Sequence, residues 1–193
     1  MTTSIIGPTT ERERAIAVVH AAFRDDPISR WVYPDDAAYE AAFPRIINAM
    51  SGRAFDRGSA YATADLGGVA LWLPPGVASD EEAMGEVMAE TVAPELMDDL
   101  VGFSEVMATM HLHEPHWYLP MIGVDPACQG RGLGDALMAH ALARCDRDGV
   151  AAYLESSNPR NISLYRRHGF EPVGEIRTDT SPTLVPMLRK RRA

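Results

Sequence analysis

What is scarce in this sequence already excludes several classes of protein. Only two of the 193 residues are cysteines, Cys128 and Cys145, too few for a disulfide framework and matching no zinc-ligand spacing. No apolar run approaches the roughly 20 residues that a membrane-spanning helix needs. Positive charge is also scarce, since 18 Lys and Arg stand against 27 Asp and Glu for a formal net charge of −9. This balance disfavours nucleic acid and anionic membranes as partners and favours cationic small molecules. The low cysteine content points to a reducing compartment, so we expect a cytoplasmic protein.

The residues that are present suit a single folded domain. Hydrophobic residues make up 46% of the chain and charged residues 23%, which is the composition of a globular protein with a real core. No internal repeat or low-complexity linker divides the sequence. We therefore expect residues 1–193 to form one domain, acting as a monomer or a homodimer.

The first half of the chain has mainly helical patterns. Thr10 with Glu13, and Ser79 with Glu82, match capping boxes that open helices. Pro44 lies inside a further helical pattern, which we expect it to bend or divide. The helices and strands predicted for this half cover residues 10–24, 36–55, 59–63 and 69–73 (a hairpin), 79–91 and 94–110.

The second half predicts a sheet built around two parallel strands, because a strand, a helix and a strand follow one another. Asn158 as N-cap and Pro159 at the first helical position begin a short helix, which Gly169 ends. The predicted strands of this half are 116–124, 150–156, 170–177 and 183–188, with a helix at 132–147. The fold class is thus α/β (α+β), a mixed and mostly antiparallel sheet flanked by helices, with a helical insert at about residues 79–113.

Pro120 lies inside a strand that is otherwise interior to the predicted sheet. Because proline has no N–H group, it interrupts the hydrogen-bond ladder there. The proline predicts either a bulge, at which the neighbouring strands separate, or an irregular edge.

A glycine-rich loop joins the first of the parallel strands to the next helix. Gly130, Gly132 and Gly134 precede or open that helix, where unpaired N–H groups and the positive end of the helix dipole favour an anion. Asp135 stands where a dinucleotide-binding loop would have its third glycine, and the lysine of a P-loop is absent. The pattern predicts a phosphate site, or a tight turn that uses glycine for its geometry alone.

Two motifs of the second half resemble those of the GNAT superfamily of N-acetyltransferases. Gln129, Gly132 and Gly134 match the pyrophosphate loop of that family. Residues 158–170 resemble its last motif, an asparagine followed by a tyrosine and a Gly-Phe pair. The resemblance covers residues 116–189 and implies the GNAT fold, in which the central parallel strands splay apart.

A subgroup is also suggested by short segments. Residues 116–119, 153–156 and 160–161 look like the subgroup that contains puromycin N-acetyltransferase. The first half of the chain, which shapes the acceptor site in such enzymes, is only loosely similar.

The resemblance implies acetyl-CoA as the co-substrate. Asn161 is the preferred side-chain contact to it, whereas Asn158 has a sufficient role as N-cap. Arg131 either pairs with a phosphate of CoA or is a solvated loop cation. Pantetheine would run along the strand at Ile122, Gly123 and Val124. The diphosphate would lie on the backbone N–H groups of Gln129, Gly130, Arg131, Gly132, Leu133 and Gly134.

Two side chains are candidates for the chemistry. Tyr165 stands where the family has its general acid, the alternative being a tyrosine of the core. Glu155 ends the second parallel strand, where ligands of open sheets gather. It would steer a cationic amine or accept its proton, unless it only forms a salt bridge or caps a helix. His116 and Glu114 are further candidates for the base.

Histidines cluster just before the first parallel strand. His111, His113 and His116 lie within six residues with Glu114, but no distant cysteine or histidine pair completes a known ligand spacing. We predict no metal site.

The function expected from these observations is transfer of an acetyl group from acetyl-CoA to a primary amine of a small molecule, by direct attack in a ternary complex. Two alternatives stay open: a peptide or protein N-acetyltransferase, and an acyl-CoA-binding module without catalysis. An insert folded over the acceptor side would favour compact substrates, and an open groove would favour chains.

Overall fold

The computed structural model describes residues 5–191, so both ends of the predicted domain lie outside the described residues. The strands are β1 Ile6–Pro8, β2 Ala60–Thr63, β3 Gly68–Leu73, β4 His116–Val124, β5 Ala151–Ser156, β6 Glu171–Pro172 and β7 Val185–Arg189. The helices are α1 Arg12–Ala22, α2 Pro27–Val32, α3 Asp36–Ser51, α4 Arg53–Asp56, α5 Glu81–Thr91, α6 Pro94–Met110, α7 Leu133–Asp148 and α8 Ile162–Arg167.

The strands form one seven-stranded sheet in the order β1-β2-β3-β4-β5-β7-β6. Every neighbouring pair is antiparallel except β4 and β5, which are parallel. Helices cover both faces, with α1, α3 and α5 over one apolar cluster and α7 and α8 over the other. The predicted fold class is confirmed.

A bulge in β4 reverses the direction of its side chains half-way along the strand. Leu71 of β3 pairs with Met121 and Leu73 pairs with Tyr118, so Leu119 and Pro120 together oppose Trp72. The extra residue shifts the two-residue period of the strand by one position. Leu119 therefore packs in the α7 cluster, whereas Met121 packs in the α1 cluster.

The same proline marks the point where the parallel strands separate. The pairing of β4 with β5 covers only His116–Leu119 and Ala151–Leu154. Beyond it, Pro120 has no N–H group with which to continue the ladder. The predicted splay of the parallel pair is thus present, and it opens at the carboxyl ends of both strands.

Close helix packing fixes the residues after the splay. A Cβ on Gly123 would lie 2.9 Å from the Cβ of Ala22 and 3.1 Å from the Cα of Val19, both in α1. Glycine is therefore required here for α1 to approach β4. This packing role applies to Gly123 whether or not a ligand runs along the strand.

Both predicted capping boxes are wrong. Glu11, not Thr10, is the N-cap of α1, and its side chain makes no capping bond. The N-cap of α5 is Asp80, whose carboxylate accepts a hydrogen bond from the N–H of Ala83. The Ser79 hydroxyl instead donates to the carbonyl of Met50 in α3, so a tertiary contact takes the group that would have capped the helix.

Other boundaries also differ from the expectation. The stretch predicted at 36–55 is divided at Gly52 rather than at Pro44, which lies inside α3. The strand predicted at 170–177 is reduced to Glu171–Pro172 and one bridge between Ile176 and Leu184, because Pro172 cannot donate to a ladder. Strand β1 and helix α2 are not predicted. Within residues 5–191, no helix is long and apolar enough to cross a membrane.

Candidate active site

The separation of β4 from β5 creates a cavity of about 160 Å³ inside the protein. Predicted site residues from different elements meet in its wall: Ile122 from β4, Glu155 from β5, Asn161 from the turn before α8, and Tyr165 from α8. Most of the remaining lining is apolar. The residues lining it include Phe23, Val32, Phe43, Ile46, Met84, Met88, Leu100, Phe103 and Met107.

The glycine-rich loop follows β4 directly and is shaped by its own polar contacts. The Asp125 carboxylate accepts a 2.8 Å hydrogen bond from the N–H of Ala127. The Gln129 side chain donates to the carbonyl of Val124 at 3.2 Å, and the Arg131 guanidinium donates to the carbonyl of Ala127 at 3.1 Å. These contacts fold the side chains back onto the loop and leave its backbone at the surface.

The backbone of this loop fits a diphosphate. Gly130 and Gly132 have φ angles of +74° and +77°, a conformation that glycine adopts without strain. Gly132 is the N-cap of α7, and the first bond of the helix runs from the N–H of Ala136 to its carbonyl. The N–H groups of Leu133, Gly134 and Asp135 therefore precede the helical ladder, where an anion is stabilised.

Tyr165 is positioned by α8 against the far wall of the cavity. Its side chain is buried and packs edge-on against Phe170, with ring centroids 6.3 Å apart. Burial raises the pKa of the Tyr165 hydroxyl, and the negative charge of Asp26 raises it further. The hydroxyl is therefore protonated throughout the neutral range and can act as a proton donor.

Glu155 lies among the rings of His111, Tyr118 and Tyr153. Its side chain is only 6% exposed, and Oε1 lies 3.3 Å from Nδ1 of His111. The Tyr153 hydroxyl donates to the carbonyl of Met110 at 3.3 Å. Burial, and after it the nearby charge of Glu155, raises the pKa of both Tyr118 and Tyr153. His111 is 35% exposed, so it links the buried carboxylate to more open space.

His116 and Glu114, the other predicted bases, do not line this cavity. Nδ1 of His116 donates to the carbonyl of Glu114 at 2.7 Å. Burial lowers the pKa of His116 below its ordinary value, so the ring is neutral near neutral pH. Both residues line a neighbouring vestibule instead. Among residues 5–191, no three His, Cys, Asp or Glu side chains are grouped so as to hold a metal ion.

The vestibule, of about 750 Å³, lies beside the cavity and shares lining residues with it. Met50, Met84, Ser104, Met107 and Tyr118 belong to both walls. Because Met84 lies on α5 and Ser104 and Met107 on α6, the helical insert folds over the cavity. The approach to the cavity is a covered pocket bounded by the insert.

Asp26 is a member of the site that the sequence analysis missed. It lines the cavity and is 6% exposed. Oδ1 accepts from the N–H groups of Ile28 and Ser29, and Oδ2 accepts from the Ser157 hydroxyl at 2.5 Å. Burial raises the pKa of Asp26 in spite of these hydrogen bonds. An aspartate directly before Pro27 is a helix-start signal, which would have located α2 though not the cavity.

Two of the predicted contact residues, Asn158 and Leu133, have structural roles that explain them without a ligand. The Asn158 side chain caps the turn at Pro159–Asn161 by accepting from the N–H of Arg160. The Leu133 side chain is buried in the core. Asn161, in contrast, makes no side-chain capping bond to α8, and it lines the cavity.

Comparison with known proteins gives a family match over more than half of the chain. The model of the "Acetyltransferase (GNAT) family" matches residues 61–170. An uncharacterized N-acetyltransferase of Schizosaccharomyces pombe is 26% identical over 182 residues, which is 82% of this chain and 70% of that protein. The mycothiol acetyltransferase of Beutenbergia cavernae is 42% identical over 79 residues, 37% of this chain but only 26% of that enzyme.

Solved structures align with nearly the whole chain. A Corynebacterium glutamicum protein described as histone acetyltransferase HPA2 and related acetyltransferase aligns with a TM-score of 0.69 at 25% identity, covering 100% of this chain and 98% of that one. A Drosophila melanogaster polyamine N-acetyltransferase that forms N-acetylagmatine aligns with a TM-score of 0.66 at 14% identity, covering 96% and 99%. At 14% identity, the likeness to the Drosophila enzyme shows a shared fold and nothing more.

Proposed function

Because the chain belongs to the acetyltransferase (GNAT) family, we propose that it transfers the acetyl group of acetyl-CoA to a primary amine of a small molecule. The observation that carries the proposal is the meeting of Tyr165 and Glu155 in one cavity at the splay, directly after which the glycine loop begins. An acid, a base and an anion site are the parts that acetyl transfer needs.

Acetyl-CoA supplies the acetyl group as a thioester. The N–H groups of residues 129–134 hold its diphosphate, and β4 beyond Pro120 offers a free edge to the pantetheine, because that part of the strand does not pair with β5. Ile122, Asn161 and Tyr165 line the space in which the thioester is held. Gln129 and Arg131 shape the loop through the contacts to Val124 and Ala127.

Glu155 and Tyr165 move the protons of the reaction. Glu155 receives the proton that the amine loses as its nitrogen attacks the carbonyl carbon, directly or through one water. A backbone N–H at the splayed part of β4, near Ile122, donates to the developing oxyanion. Tyr165 gives its hydroxyl proton to the sulfur of the leaving thiolate. His111, in contact with Glu155 and part of the vestibule wall, offers the proton received by Glu155 a way out.

A compact acceptor is favoured over a peptide by the position of the insert. Helices α5 and α6 cover the cavity, and the vestibule is bounded by residues of both. An extended chain would need an open groove at this place. Proteins with the same fold and the names agmatine and polyamine N-acetyltransferase support a small amine as the class of acceptor. The puromycin-type subgroup stays a prediction.

The proposal extends to the setting in which the enzyme works. Cys128 and Cys145 are free thiols, which suits a reducing cytoplasm. One sheet carries the loop and the cavity, which supports a single domain that works as a monomer or a homodimer. The net charge of −9 supports cationic small molecules as partners rather than nucleic acid or membrane surfaces.

The experiment that tests this function is a thiol-release assay with acetyl-CoA and a panel of amines. The panel contains an aminonucleoside, aminoglycosides, aliphatic mono- and diamines, and a lysine peptide. We expect release of CoA with at least one small amine and little with the peptide. Turnover of the peptide alone would favour the protein-acetylating alternative, and binding of CoA without turnover of any amine would contradict the proposal.

A further inference from the structure

The cavity contains two buried carboxylates and no side chain of fixed positive charge. Asp26 and the Glu155 side chain are each 6% exposed, and no Lys or Arg is among the residues that line the cavity. Glu155 has His111 as a partner. The ion pairs of the described residues 5–191 include none to Asp26.

Capping of α2 does not account for the charge of Asp26. Its Oδ1 accepts from the N–H groups of Ile28 and Ser29, a task that asparagine performs as well as aspartate. A neutral amide would avoid the cost of burying a charge without a cation. The cap of the helix alone therefore does not require a carboxylate at this position.

The two carboxylates lie near the same end of β5. Asp26 accepts a hydrogen bond from the hydroxyl of Ser157, which follows Glu155 by two residues, and both carboxylates line the cavity. Apolar side chains such as Val32, Met88 and Leu100 complete the lining. A short alkyl chain with a cation at each end matches this combination of two acids and an apolar wall.

Resting on the proposed function, we propose that Asp26 forms an anionic subsite for the distal ammonium of a compact aliphatic diamine, whose other amine is presented to Glu155 and acetylated. Asp26 would then determine specificity by attracting the distal charge of the acceptor, while Glu155 accepts the proton of the reacting amine. The cavity volume of about 160 Å³ limits the acceptor to a short chain.

The test compares acceptors that differ only in the distal charge: butane-1,4-diamine, n-butylamine and N-acetylbutane-1,4-diamine, in thiol-release kinetics with acetyl-CoA. We expect kcat/KM for the diamine to exceed that for butylamine by about tenfold or more, as for one charge-assisted contact. The monoacetylated diamine, of similar reach but without the distal charge, should be no better than butylamine. This part of the test needs no variant.

The variant Asp26→Asn keeps the cap and removes the charge. We expect the ratio of kcat/KM for diamine over butylamine to fall to near one, with the change mainly in KM. Asp35→Asn, a matched substitution at the exposed N-cap of α3, should keep the wild-type ratio. A wild-type ratio near one, or equal losses on both amines in Asp26→Asn, would overturn the subsite. Failure of every amine would instead contradict the proposed function.

Discussion

At the scale of single residues, proton transfer in the site depends on how burial changes the pKa of the Tyr165 hydroxyl and of the leaving thiol. An ordinary tyrosine has a pKa near 10 and a thiol one near 8.5, so proton transfer from the first to the thiolate of the second is uphill by about 2 kcal/mol. Burial raises the pKa of Tyr165, and it acts in the same direction on a thiol held in the same cavity. For the ordinary pKa values, the deficit is small beside an enzymatic barrier.

Tyr165→Phe tests the acid directly. The ring keeps its edge-on contact with Phe170, so we expect the fold and the affinity for CoA to change little. The loss of the proton donor should lower kcat by about a hundredfold or more. Steady-state kinetics beside CoA titration measure the two effects separately. A kcat equal to that of the wild type would remove Tyr165 from the mechanism.

Asp26 predicts a pH dependence of stability. Burial raises the pKa of Asp26 above the ordinary value of 3.8. The Asp26 carboxylate therefore binds a proton more tightly in the folded state than in the unfolded state. Its contribution to stability is thus favourable at low pH and lost as the pH rises through this raised pKa. Asp26→Asn should therefore raise Tm relative to the wild type at pH 7.

The gain in Tm from Asp26→Asn should shrink as the pH falls towards about 4, and thermal unfolding at the two pH values measures it. Asp35→Asn, at an exposed cap, should show no comparable change with pH. A Tm for Asp26→Asn that is lower than that of the wild type by the same amount at both pH values would contradict the assignment.

Sequence reasoning identified some of these residues and not others, for physical reasons. Tyr165 and Asn161 lie within a few residues of each other in a recognisable motif. Asp26 reaches the site through a contact to Ser157 across 131 positions, and no local pattern records such a pairing. His111 was considered only as a metal ligand, because its contact with Glu155 depends on how α6 is packed.

At the scale of elements, the bulge at Leu119–Pro120 organises the site. It ends the pairing with β5 and reverses the side-chain phase, so that Met121 and Gly123 face α1. The alternation of the strand alone predicts its length but not this reversal. Proline supplied the signal that the ladder is broken, and the choice between a bulge and an irregular edge needed the neighbouring strands.

Gly123→Ala tests the contact between β4 and α1. The new Cβ would lie 3.1 Å from the Cα of Val19, so backbone must move, and we expect a loss of about 1–3 kcal/mol in the free energy of unfolding. Gly7→Ala, in β1 with nothing within 4 Å of the added Cβ, is the matched control and should be near neutral. Chemical denaturation measures both. Equal stability of the two variants would contradict the packing.

Local signals predicted some elements well and failed where tertiary contacts compete. Strand β4 and helix α6 have the predicted bounds, His116–Val124 and Pro94–Met110, since long apolar patterns and a first-turn proline are strong signals. The start of α5 was misplaced because Ser79 bonds to Met50. Strand β1 has only three residues, Ile6–Pro8, too few for a periodic pattern.

At the scale of the whole molecule, helices from both faces of the sheet contribute to the site. Helices α7 and α8 carry the loop and Tyr165 on one side of the splay, and α5 and α6 cover the vestibule on the other. The composition predicted a single acidic domain, and the motifs of the second half predicted the sheet. The acceptor side could not be predicted, because it is assembled from α2, the insert and the end of β5.

The proposed function depends first on binding of the CoA diphosphate by backbone amides of the glycine-rich loop. The most direct measurement is a map of backbone amide shifts in proton–nitrogen correlation spectra as CoA is added. We expect the largest shifts on residues 129–135 and along β4 beyond Pro120. Saturating CoA that leaves these amides unmoved, while shifting others or none, would contradict this binding.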